Sequence, residues 1–396
     1  MMTESKLSTD NIYIVGTGMT PAGEHWERSL RELALEAIAI ARAETGELRP
    51  QAVYVANMLA PTLSRQSHLG ALVADFAGLR GIEAVALDAA GASGGMAIRQ
   101  AYLALVSGQV SVAVVVGVEK TTERVTAEVE AALQTTSDAD YEGVHGVTET
   151  SLAAMLMRRY AYEFELPENA FAGFSLTSHA NAVGNPMAMF RRAIKLETYA
   201  NASMLSDPLN MFDAAPLADG AAAIVLARGD VLPAELPFPK VQLKASAAAI
   251  SSLSIHDRSD PLTLDAAKIS VQKAYEQARI QPENVDFFEL HDRYSIFAAL
   301  ALEAAGFAAK GEGWKLAQDG TIALDGSLPI CTFGGSKARG EVGGATGLYQ
   351  AVEATRQLQQ RAQSNQVADA KIGMIQVIGG TGATAVTHIL QANETL

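Results

Sequence analysis

Residues Val110–Val118 read Val-Ser-Val-Ala-Val-Val-Val-Gly-Val and carry no charge. A β-branched run of this kind suits a strand covered on both faces, as in parallel-rich sheets flanked by helices. It is the longest apolar run in 396 residues. A membrane span needs roughly 18 such residues, so no crossing is expected. The fold must therefore supply helices on either side of this strand, and the sequence before it offers them. Strands are predicted at Ile12–Val15, Val53–Ala56 and Val85–Leu87. Leu30, Leu33, Ala34, Ala37, Ile38 and Ala41 recur at helical spacing, and Ser67–Phe76 and Gly94–Val106 read as two more helices.

The same order returns in the second half. Val241–Ala245, Val285–Leu290, Ile372–Ile378 and Ala383–Leu390 read as strands; Leu264–Ala278, Ser295–Ala305 and Gly347–Arg361 read as helices. Five matched elements offset by roughly 230–250 residues indicate a duplicated unit. Alternating strands and helices with buried strands predict a layered α/β architecture, two sheets with helices between and outside them. The stretch Glu119–Leu209 is helical, Met-rich and less periodic, and reads as an inserted cap. Asp219–Leu226 then returns to the first half as a strand, and Leu232–Pro239, with three prolines, reads as a linker. The expected division is 1–118 plus 206–230, an insertion over 119–205, and 240–396.

A net charge of −14 argues against nucleic acid, whose phosphates demand a basic surface. The single cysteine, Cys331, excludes an intramolecular disulfide and a cysteine-based zinc site. The seven histidines show no metal-type spacing, so no metal is expected. Residues 1–10 lack the apolar core of a signal peptide, which predicts a cytoplasmic protein. Gly16-Thr17-Gly18 lacks the third glycine and the later acidic partner of a dinucleotide loop, which speaks against NAD.

Chemistry is expected at Ala89-Ala90-Gly91-Ala92-Ser93-Gly94-Gly95, between a strand and a helix. A side chain at such a turn stands at a helix N-terminus, whose partial positive charge stabilises a thiolate or oxyanion. Three further blocks belong with it: Ser206–Ala223, Glu289-Leu290-His291-Asp292-Arg293-Tyr294, and Gly334–Gly347. With these four blocks the chain resembles the thiolase superfamily over nearly its whole length, most closely the sterol-carrier-protein-x and archaeal branch. The resemblance implies a thiolase fold: duplicated βαβαβαββ halves in five layers, α-β-α-β-α, with an inserted helical cap.

The resemblance also implies a catalytic set, and the sequence departs from it. The nucleophile position is Gly91, which has no side chain to acylate. The Gly-His-Pro histidine is replaced by Glu341, within Gly340-Glu341-Val342. The second cysteine of the sterol-carrier branch is replaced by Arg293, and Gln376-Val377-Ile378-Gly379-Gly380 offers none either. His291 remains. Two-step thiolysis is disarmed, since losing one member of a cooperating unit removes most of its rate. Cys331 is either a substitute nucleophile at the pocket border or a small buried hydrophobe.

Tyr294 stands where relatives carry Phe, and its hydroxyl is either a general acid–base or core packing. Glu341 is either a base or a charge closing a vestigial site. The resemblance extends to thiolase-fold retro-aldolases, which lack the cysteine and cleave a β-hydroxyacyl-CoA with a tyrosine. It places an oxyanion amide at Gly344 and removes the nucleophile at Gly91, leaving space beside His291. His179, Arg191, Arg192, Cys331 and Gly380 are substrate-binding candidates, with Lys195 a further cation near the CoA phosphates.

The readings are a carbon–carbon bond enzyme of aldol type without acyl-enzyme, a non-catalytic subunit, and a conventional acyltransferase. No covalently bound cofactor is expected, and a coenzyme A thioester is the substrate. Implied partners are a second copy of the chain, with Val110–Val118 near the two-fold, and a small OB-fold protein bearing a zinc ribbon.

Overall fold

The computed structural model describes residues 11–393. The first half runs β1 (Ile12–Met19), α1 (Leu30–Ala43), β2 (Ala52–Ala56), α2 (Leu69–Phe76), β3 (Glu83–Leu87), α3 (Ser93–Val106) and β4 (Val112–Glu119). The insertion carries α4 (Thr126–Gln134), α5 (Glu149–Glu163), α6 (Ala172–Ala182), α7 (Leu196–Ala200) and the hairpin β5 (Met204–Ser206) and β6 (Leu209–Asn210). Then β7 (Gly220–Arg228) pairs antiparallel with both β1 and β4. The second half runs β8 (Val241–Ile250), α8 (Asp265–Ala278), β9 (Phe287–Leu290), α9 (Ser295–Ala304), α10 (Lys315–Gln318), α11 (Thr346–Leu358), β10 (Ile372–Gly379) and β11 (Thr384–Ala392).

Local signals explain the boundaries. Ser29 caps α1 in a reciprocal box with Glu32, and the buried face of that helix is Leu30, Leu33, Ala34, Ala37, Ile38 and Ala41. β1 continues through Gly16 and Gly18 to Met19, beyond the predicted end at Val15. A Cβ at either glycine would strike the α1 backbone, at 2.2 Å from Ala41 O and 2.3 Å from Ala37 O. The glycines thus let α1 press onto the strand rather than end it.

The strands follow the order β3-β2-β4-β7-β1-β8-β11-β10-β9, with the halves meeting edge to edge at β1 and β8. Helices α1 and α2 pack only on first-half strands among their main contacts, and α8 packs on β8 and β11. Helices α3 and α11 touch strands of both halves and each other. This is the five-layer thiolase arrangement. The middle helices approach closely because Gly94, Gly95 and Gly347 face one another without side chains. The second half keeps four strands; the fifth place holds a single bridge, Phe288–Ile330. Pro329 lacks an N–H there, and Cys331 at φ +46 turns the chain away.

One expectation changes. The run from Val110 was placed near a two-fold interface, but β4 is paired on both edges and buried along its length. The edge strand of that half is β3. The insertion packs on the second half: Leu156, Met157, Tyr160 and Phe174 share one core with Phe288, Phe297 and Leu300.

Candidate active site

The turn before α3 is held in strain. Ala90 has φ +52, a conformation that costs a non-glycine residue on the order of 1–3 kcal/mol. Three hydrogen bonds fix it: the Ala90 amide donates to Asp88 Oδ1 at 2.9 Å, Ser93 Oγ donates to Ala90 O at 2.6 Å, and the Ala89 amide donates to Ser93 Oγ at 2.9 Å. Gly91 follows at the entrance to α3. The expected space at Gly91 is absent. A Cβ there would lie 2.8 Å from Ile378 O and 2.9 Å from His291 Cε1. The imidazole has taken the place a side chain would need.

His291 lies just beyond β9 and is buried. Its Nδ1 is 3.1 Å from Ile378 O, at the end of β10, and its Nε2 is 3.1 Å from Glu341 Oε2. The Nε2 contact to a carboxylate favours an imidazolium, while Nδ1 lies between Ile378 O and the Ile378 amide, which donates to it at 3.4 Å. Burial works against that charge, but the Glu341 carboxylate outweighs it and raises the His291 pKa. Burial likewise opposes the Glu341 charge; His291 reverses it and holds the carboxyl well below its usual range. Glu341 Oε1 also accepts from Thr346 Oγ1 at 3.0 Å, at the N-terminus of α11, where a helix favours negative charge.

A second ion pair adjoins the first. Arg293 Nη2 lies 2.9 Å from Glu149 Oε2 in the first turn of α5, and both side chains are buried. Burial, only partly offset by Arg293, raises the Glu149 pKa. The Arg293 guanidinium lies 5.7 Å from the Tyr294 ring centroid. The Tyr294 hydroxyl meets Thr150 Oγ1 at 2.9 Å, so it faces the insertion. Burial pushes its pKa up to about 12 against the pull of Arg293. Asp292 does structural work: it accepts the Ser336 amide at 2.6 Å and the Ser178 hydroxyl at 3.1 Å, fixing the turn that leads to Glu341.

Other candidates fall in different places. The Gly344 amide is not free for an oxyanion, because it donates to Glu119 Oε2 at 3.1 Å. Glu119 also accepts from Asn57 and from the Met58 and Leu59 amides, and burial raises its pKa to about 7. Cys331 is wholly buried, its Sγ 3.6 Å from Leu290 O, and burial raises the thiol pKa, the opposite of nucleophile activation. Gly380 lines a cavity of about 240 Å³ together with Ala89, Ala90 and Thr136.

His179, Arg191 and Arg192 come together in a cavity of about 1040 Å³ between the insertion and the 335–341 turn. Its wall is mainly apolar, with Phe190, Met211 and Phe212 prominent; Lys195 does not line it. The His179 ring stacks on Phe190 and meets Phe212 edge-on, and burial lowers its pKa. One strand of backbone separates this cavity from the ion pairs. Ala214–Pro216 lines it, while the Ala215 amide donates to Arg293 O and the Glu341 amide donates to Pro216 O.

Glu149, Thr150 and Lys337 are site residues that sequence reasoning missed. Glu149 and Thr150 sit in a segment without a motif, and only folding brings them to Arg293 and Tyr294. No group of three or more His, Cys, Asp or Glu side chains that could hold a metal ion occurs among the described residues.

Comparison with known proteins agrees with this architecture. Residues 12–230 match the thiolase N-terminal domain, and residues 247–392 match the thiolase C-terminal domain-like family. An acetyl-CoA acetyltransferase of Methanothermobacter thermautotrophicus is 40% identical over 383 residues, 96% of this chain and 99% of that protein. A steroid side-chain-cleaving aldolase of Thermomonospora curvata is 27% identical over 252 residues, 62% of this chain and 63% of that protein. The solved Ltp2-ChsH2(DUF35) aldolase superposes with a TM-score of 0.81 at 24% identity, covering 98% of this chain and 99% of the other. With both domains matched and a relative at this identity over almost its full length, the chain belongs to the thiolase family.

Proposed function

We propose that the protein acts on a carbon–carbon bond of an acyl-CoA thioester, by aldol or retro-aldol chemistry and without an acyl-enzyme. The observation that carries this reading is the His291 imidazole standing where a side chain at position 91 would be, paired with Glu341. In the cleavage direction the β-hydroxyl of a β-hydroxyacyl-CoA gives up its proton. The Cα–Cβ bond breaks, a carbonyl forms at Cβ, and the electron pair moves to the thioester as an enolate. The positive charge of the protonated His291 ring offsets that negative charge. Tyr294 in its phenolate form, which Arg293 favours against the effect of burial, receives the hydroxyl proton and, as the phenol so formed, returns it at Cα. Protonation at Cα then releases the shortened acyl-CoA. The large apolar cavity would hold the coenzyme A part, with Arg191 and Arg192 toward its phosphates, and the acyl end would have to pass the Ala214–Pro216 backbone to reach His291. Cleavage of β-hydroxyacyl-CoA by wild type, and its loss in Tyr294→Phe, is the test; full activity in the variant removes Tyr294 from the mechanism.

A second reading is thiolase-type acyl transfer, favoured by the 40% identical relative named an acetyltransferase. It requires a nucleophile other than Gly91, and an acyl adduct found by intact mass after acetyl-CoA would establish it. We also propose two partners and a cytoplasmic location. One partner is a second copy docking on β3, an open edge strand whose Val85 is 41% exposed. The other is a small OB-fold, zinc-ribbon protein over the exposed Val183, Phe190, Leu205 and Met211 around the large cavity. Turnover that appears only with such a partner, and never with the chain alone, would favour the reading as a non-catalytic subunit.

A further inference from the structure

The large cavity holds a group that the chemistry at His291 does not use. Lys337 is only 2% exposed, yet it lines this cavity. Its backbone is fixed from two sides. Asp292 holds the preceding Ser336 amide, and the Met189 and Phe190 amides donate to Arg339 O and Ala338 O at 3.0 and 2.9 Å. Its Nζ donates to Asp213 O at 2.7 Å and to Phe212 O at 3.3 Å.

Among the described residues Lys337 forms no salt bridge, and the nearby carboxylates are occupied. Asp213 accepts from the Tyr199 hydroxyl at 2.8 Å and the Asn210 amide at 3.1 Å. Asp292 is taken by Ser336 and Ser178. Cys331, also in electrostatic reach, is held neutral by burial. Burial lowers the Lys337 pKa; Asp213 and Asp292 oppose that without overcoming it. A neutral amine has two N–H bonds and one lone pair. Two carbonyls accept from Nζ and no carboxylate does, so in the free-base form both hydrogens are engaged and the lone pair is left free on a side chain that lines an apolar cavity. Lysines desolvated in this way are nucleophiles toward carbonyl carbon.

We propose that Lys337 captures an aldehyde or ketone in this cavity as a reversible imine. The lone pair attacks the carbonyl carbon and forms the C–N bond. The carbonyl oxygen then leaves as water with the two amine hydrogens, so no oxidant or reductant is needed. This rests on the aldol reading only for the origin of the carbonyl, which retro-aldol cleavage supplies; the imine itself forms without turnover.

The test uses the full-length protein near neutral pH with a low concentration of propanal and cyanoborohydride, followed by peptide mapping. Reduction fixes each imine as one propyl group on a lysine. The exposed Lys268 and Lys273 are internal references. Lys337 is expected to label about tenfold faster than either, because a buried amine carries more free base near neutrality. Labelling of Lys337 no faster than the references overturns the proposal. Lys337→Arg keeps a donor for the two carbonyls and should lose only that label; if the variant fails to fold, the wild-type ratio still decides. Labelling without cleavage of β-hydroxyacyl-CoA would overturn the aldol reading and leave this one standing, and cleavage without labelling would do the reverse.

Discussion

Gly91→Ala adds one carbon, and the structure says what that carbon meets. Its place lies 2.8 Å from Ile378 O and 2.9 Å from His291 Cε1. Comfortable separations between such atoms are about 3.5 Å or more. One of the two is a backbone oxygen near the end of β10, where Ile378 is paired to Ala385 of β11, so it cannot swing away. Relief must come from the imidazole, whose contacts to Ile378 O and Glu341 then lengthen. Overpacking alone costs about 1–3 kcal/mol. Weakening a buried hydrogen bond to a charged group adds about 1.5–3 kcal/mol. The expected loss is therefore about 2.5–6 kcal/mol. Gly23→Ala is the matched control, since a Cβ at Gly23 meets no atom within 4 Å. Urea unfolding of both variants gives the difference, and NMR titration of His291 reports the moved ring. If Gly91→Ala unfolds within about 0.5 kcal/mol of Gly23→Ala, the range of an unconstrained site, and the His291 pKa is unmoved, the packing argument is wrong.

Other outcomes follow from the two ion pairs. The raised pKa of His291 makes its contribution full below its ordinary value of 6.5 and lost as pH rises through the raised value. Glu341 is depressed, so its contribution is full above the ordinary 4.5 and lost as pH falls through the depressed value. Glu341→Gln should thus lose about 3–5 kcal/mol in the mildly acidic window between them, and less where His291 has already lost its proton; a pH-independent loss in denaturant titrations would contradict the pairing. Glu149→Leu and Arg293→Met should each destabilise by about 3–5 kcal/mol, while the double variant recovers most of the loss. Additive losses in that cycle would mean the two groups are not partners.

Much of the fold was legible because each half repeats one pattern: mainly apolar strands between helices with an apolar stripe. What escaped was pairing across the halves. The edge of the first half is β3, whose Glu-Ala-Val-Ala-Leu resembles any short strand, whereas the conspicuous valine run of β4 lies inside the sheet. At the site, His291 and Glu341 were legible through the blocks that contain them. The Gly344 amide was misjudged because its acceptor, Glu119, comes from the other half, and hydrogen bonds between distant segments leave no local signal. Glu149 was missed for the same reason, since only folding brings the first turn of α5 against Arg293. The apparent space at Gly91 was an error of a different kind. A residue without a side chain marks a void only if nothing moves in, and close packing brought the His291 ring there.

The central claim is carbon–carbon bond chemistry on an acyl-CoA without an acyl-enzyme. The most direct measurement mixes the protein with a β-hydroxyacyl-CoA and follows the shortened acyl-CoA and the carbonyl product, while intact mass is recorded during turnover. The account predicts both products and an unmodified protein mass. An acyl group retained on the chain during turnover, or thiolysis of a β-ketoacyl-CoA in place of aldol cleavage, would contradict it.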